Sequence, residues 1–96
     1  MKTMSENQKK NYVKELTLMS PTTMNPYKNY VVELVKPDKT SILRVVRQDH
    51  RGMFVMVRYN IATTNSVWKQ VKPFKEPKKM REATTQDLML IVPTEC

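Results

Sequence analysis

The chain has 96 residues, with 17 Lys and Arg against 9 Asp and Glu, a formal net charge of +8. That length makes one domain with a modest core, and a composition of 40% hydrophobic and 27% charged residues is that of a globular chain, neither disordered nor membranous. No apolar run is long enough to span a bilayer, and the polar beginning lacks the apolar stretch of a secretory signal, so the expected setting is cytoplasmic with no membrane partner. The single cysteine, Cys96, excludes an intramolecular disulfide, which agrees with a reducing compartment.

In chain order, residues 1–10 are polar and read as a flexible tail. Residues 11–93 read as a single β domain, with 94–96 as a C-terminal tail. The first β-prone run is 12–19 (YVKELTLM), and the loop after it, 20–29, holds two prolines and cannot pair as a central strand. The second run is 30–36 (YVVELVK). Pro37, Asp38, Lys39 and Thr40 then form a tight-turn signal, because proline fixes φ and Asp bonds the backbone ahead of it. The third run is 41–47 (SILRVVR). The connection after it ends in Gly52, the only glycine, as expected for a turn residue at positive φ. The fourth run is 53–59 (MFVMVRY). These three runs predict an antiparallel meander, and apolar residues on both faces of its last two strands point to a sheet curving back on itself.

Beyond the polar loop 60–66, residues 67–72 alternate, and Val67, Trp68 and Val71 favour a strand. Pro73 and Pro77 interrupt regular structure, 78–85 suits a short helical turn, and the apolar run 88–92 (LMLIV) reads as a buried closing strand. The predicted fold is all-β: a small barrel or strongly bent sheet of five to six antiparallel strands, with OB- or SH3-like architecture as an analogy of shape alone.

The densest chemical signal is the strip 69–81 (KQVKPFKEPKKMR). Lys69, Lys72, Lys75, Lys78, Lys79 and Arg81 stand against one acid, Glu76, a net +5 within thirteen residues. Trp68 and Phe74 lie beside and inside it. Cations interleaved with flat π-faces suit a polyanion that also offers bases to stack on. If extended, the strip places a charge about every 6–10 Å, a spacing that can follow a phosphate backbone. A merely solvated loop would intersperse acids more evenly. Tyr27 and Lys28, in the proline-flanked loop, are further binding candidates. Arg44, Arg47, Arg51 and Arg58 form a second cationic group that includes residues on opposite strand faces, and an arginine there either snorkels at an edge, stacks on a base or forks a phosphate.

Catalysis has little support in the sequence. His50 sits in a predicted turn, one glycine cannot build a phosphate loop, and the acids are scattered singly. No metal-ligand spacing is present, and no cofactor is expected. The expected function is therefore non-enzymatic binding of nucleic acid, with RNA or single-stranded DNA favoured because no recognition helix is apparent. The alternative is a small protein-interaction module, an inhibitor or assembly factor docking on an acidic partner surface. The placement of Trp68 and Phe74 relative to the lysines separates the two.

Overall fold

A computed structural model describes residues 4–16, 25–71 and 79–96. Helix α1 (Glu6–Glu15) precedes strands β1 (Asn29–Val35), β2 (Ser41–Asp49), β3 (Gly52–Asn60), β4 (Asn65–Gln70) and β5 (Lys79–Glu82), followed by helix α2 (Thr85–Ile91) and the short strand β6 (Thr94–Glu95). Among the described residues the strands form one sheet in the order β4-β3-β2-β1-β5, antiparallel throughout, with β6 running parallel to β3.

The meander stands where the alternation predicts it. Its first turn is held by Asp38, whose Oδ1 accepts from Thr40 N at 3.0 Å and from Thr40 Oγ1 at 2.6 Å. Those bonds hold the exposed Asp38 carboxyl below its ordinary pKa. Its second turn is His50 and Arg51 alone, since Asp49 faces Gly52 across the hairpin. Gly52 has φ of +131°, a conformation that only glycine adopts freely.

The sheet is not closed into a barrel. Strands β4 and β5 are its two opposite edges. Two-sided apolar patterning has another cause here: the sheet buries both faces. On one face Val31, Leu43, Val45, Met56 and Tyr59 pack with Leu16, Leu88 and Val92 beneath the helices. On the other, Tyr30, Val32, Val46 and Met80 form a second cluster. Strands β2 and β3 are paired only from Val46 to Asp49, and β3 is bulged between Met56 and Arg58, which adds local twist. Farther along β3, Tyr59 and Asn60 pair instead with Thr94 and Glu95.

Two segments read as tail and strand are helical. Glu6–Glu15 replaces part of the expected tail and the start of the first β-prone run because Ser5 and Gln8 form a capping box: Gln8 N donates to Ser5 Oγ at 3.2 Å and Ser5 N to Gln8 Oε1 at 2.9 Å. Once the helix starts there, Tyr12, Val13 and Leu16 fall on its inner side. Likewise 88–92 is not a closing strand. Thr84 and Asp87 cap α2 reciprocally, and Leu88, Ile91 and Val92 meet the core at helical spacing. Where a short helical turn is expected at 78–85, Lys79–Glu82 is instead edge strand β5, from which the chain passes directly to α2, and Lys78 lies outside the described residues. The remainder of the first predicted run, 17–19, lies outside the described residues. No described helix is long and apolar enough to cross a membrane.

Candidate nucleic-acid interface

Alternation along β4 sends neighbouring side chains to opposite faces. Trp68 lies opposite Met56 and packs, half-buried, against the helix-side core. Lys69 lies opposite Val55, exposed on the other face. Trp68 therefore does not share a face with the lysine next to it. Its cationic neighbour comes from β2 instead: the Arg47 guanidinium stands over the indole at 4.4 Å from the ring centroid. Arg47 Nε is buried without a hydrogen-bond partner, and no acid pairs with this arginine among the described residues. A second pair lies beside the first. Arg51, in the β2–β3 turn, stands 5.7 Å from the Phe54 ring, and Phe54 faces Arg47 across the strands. Among the described residues the Arg51 guanidinium has one ion-pair contact, a long one of 3.9 Å to Asp49.

The surroundings of these pairs are pinned to the turn. Gln70 Nε2 donates to Arg51 O at 3.1 Å, closing the end of β4 onto it. Tyr27 N donates to Gln48 O at 2.7 Å, and Tyr27 Oη lies at hydrogen-bond distance, 3.1 Å, from His50 Nδ1. Tyr27 is 64% exposed at φ of +66°, next to exposed Lys28. One end of the sheet thus gathers Tyr27, Lys28, Arg47, His50, Arg51, Phe54 and Trp68, with Lys69 on its reverse.

Arg81 and Lys79 are elsewhere. Lys79 begins edge strand β5, opposite Glu33. Arg81 turns inward, gripping Asp87 through both terminal nitrogens at 2.6 and 2.8 Å, with Glu15 at 3.3 Å and the Tyr12 ring at 5.2 Å. Those hydrogen bonds raise the Arg81 pKa. Burial pushes the Asp87 carboxyl upward, but the bonds from Arg81 and from Thr84 N outweigh it and hold that carboxyl below its ordinary pKa. Burial and the neighbouring Asp87 carboxylate push the Tyr12 phenol up to about 12. This cluster joins β5 to both helices, and Arg81 is committed to it. Lys72, Phe74, Lys75 and Lys78 lie outside the described residues.

In the sequence Arg47 stands among the other arginines, and nothing there pairs it with Trp68. The available signal was an arginine on the same strand face as Leu43 and Val45. Its partner emerges only from the register of three strands. Compared with protein-family models, curated proteins and solved structures, the chain matches none.

Proposed function

We propose that the protein is a non-enzymatic nucleic-acid-binding protein that takes RNA or single-stranded DNA at the β2–β3 end of its sheet. The observation that carries this reading is the pair of arginine–aromatic stacks, Arg47 on Trp68 and Arg51 on Phe54, side by side. A guanidinium plane is a stacking surface for an unpaired base, and its free N–H groups fork a phosphate. Among the described residues no acid pairs with Arg47. Exposed Tyr27 offers a further ring at the same end, Lys28 and Lys69 add positive charge there, and the lysines of the sequence strip 72–79 raise the charge of the chain as a whole. Arg81 is left out of the interface because Asp87 and Glu15 occupy it.

The test uses the single tryptophan as its own probe. Titrating single-stranded RNA, single-stranded DNA and duplex DNA at two salt concentrations should change Trp68 emission most for the single strands, with affinity falling as salt rises. Equal binding of duplex, or salt-insensitive binding, would sink the reading. The rival, docking on an acidic protein surface, draws support from edge strand β4, where Val67 is 50% exposed beside Lys69 and Ile61 in the adjoining turn is 42% exposed. It takes the lead if no nucleic acid perturbs Trp68.

A further inference from the structure

Strand β4 ends the sheet on one side. Which of its backbone groups face outward can be read from both of its ends. Tyr59 N donates to Pro93 O at 3.1 Å, on the β6 side of β3, so it does not bond toward Ser66, its neighbour on β4. Val71 N donates to Met53 O, also at 3.1 Å, back toward β3. Alternation between these points turns the backbone of Lys69 inward with that of Val71, and sends the N–H and C=O groups of Ser66, Trp68 and Gln70 outward. Among the described residues no backbone group answers them, and no proline interrupts 65–71. The opposite edge, β5, is four residues long, and its Arg81 is drawn inward to Asp87. Strand β4 is thus the edge that offers a template for one more strand.

The side chains along this edge select the partner. Val67 and Lys69, two residues apart, are exposed on the face away from the helices. Among the described residues no acid pairs with Lys69. The Asp49 side chain is 7% exposed and accepts from Arg51 N, and Glu95 is held by Arg58 at 2.9 Å. Residues of an added strand stand directly opposite Val67 and Lys69. An apolar side chain suits the first position and a carboxylate the second. A second copy of the chain suits neither, since pairing two β4 edges would join two molecules of net charge +8. We propose that the outer edge of β4 receives an extended acidic segment of a partner protein as an additional antiparallel strand. In that direction its carboxylate precedes its apolar side chain by two residues. Lys69 then has two effects: it discourages self-pairing and it selects the acidic strand. This partner is additional to the single strands bound at the arginine–aromatic stacks, and its site does not depend on them.

Fluorescence polarisation of the full chain with an end-blocked, fluorescein-labelled peptide, ETETVTS, tests this. Laid antiparallel to β4, the peptide sets its second glutamate opposite Lys69, its middle threonine opposite Trp68 and its valine opposite Val67. N-methylating the middle threonine removes a donor aimed at β4 and should weaken binding about tenfold. N-methylating the valine, whose N–H points away from β4, should leave affinity nearly unchanged. Ser66→Pro removes an N–H that the sheet does not use, so it should abolish peptide binding while preserving the circular dichroism of the fold. Lys69→Glu should weaken ETETVTS and strengthen the charge-swapped KTKTVTS, an exchange that general attraction to a cationic chain does not produce. The comparison of the two methylated peptides needs no variant, so a substitution that fails to fold leaves it intact. Equal affinities for those two peptides overturn the proposal and make the acidic peptide a polyanion mimic. A dimer in sedimentation that Ser66→Pro dissociates overturns it in favour of a second copy. If the methylated peptides differ while no oligonucleotide perturbs Trp68 emission, the strand-addition site stands and the single-strand reading alone fails.

Discussion

Asp87 does two jobs with one carboxylate. It accepts from both terminal nitrogens of Arg81 and from Thr84 N, so it neutralises an inward-facing arginine and caps α2. Its side chain is 3% exposed and that of Arg81 16%, so water replaces little of what a substitution removes. Asp87→Ala should therefore cost about 3–5 kcal/mol in urea unfolding, because it leaves a largely buried cation with only the exposed Glu15 carboxylate beside it. Since its pKa is lowered in the folded state, the stability this carboxylate contributes is present above its unfolded value, about 3.9, and is lost as pH falls through the folded value. An acid titration of the Asp87→Ala variant should consequently show a shallower loss than the parent. Trp68 makes the contrasting case. Trp68→Ala should weaken single-strand binding by about 1–3 kcal/mol in a polarisation assay with a labelled oligonucleotide, while leaving the salt slope nearly unchanged, because stacking releases no ions.

At the level of elements, the meander was legible and the helices were not. Alternating side chains over 30–36, 41–47 and 53–59, with turn chemistry at Asp38 and Gly52, carry their structure locally. The run 88–92 is uniformly apolar, and such a run fits a buried strand and a buried helix segment alike. The deciding signals were polar residues just ahead of each helix: Ser5 with Gln8, and Thr84 with Asp87. The site was half legible for a related reason. Trp68 and Tyr27 stand out as large rings near positive charge, whereas the stack on Arg47 depends on which strands become neighbours. Ser5→Ala should cost about 1 kcal/mol in thermal or denaturant unfolding and reduce helical circular dichroism, with Ser5→Asp close to neutral. An unchanged helix signal in the alanine variant would show that packing of Tyr12, Val13 and Leu16 alone sustains α1.

For the whole molecule the net charge of +8 predicts association with polyanions whose strength depends on ionic strength. Replacing Lys72, Lys75, Lys78 and Lys79 with Gln should lower affinity for single strands and flatten the dependence of log affinity on log salt by roughly 0.7 per lost phosphate contact. A quadruple variant that binds as the parent does at both salt concentrations would show that the strip is a solvated connection, and that the arginine–aromatic end alone engages the ligand.

Strand β1, one place in from the β5 edge, has two neighbours acquired by very different routes. Val31 meets Val45 across a short hairpin, but meets Arg81 only after more than half of the chain has been laid down between them. Closing a large loop costs entropy before any contact repays it, so the hairpins are expected to form early and β5 to dock late. The Arg81–Asp87 clasp then belongs to the last step of assembly and the first of disassembly. Its loss should hasten unfolding far more than it slows refolding, and stopped-flow chevrons of the parent and Asp87→Ala would read that asymmetry directly.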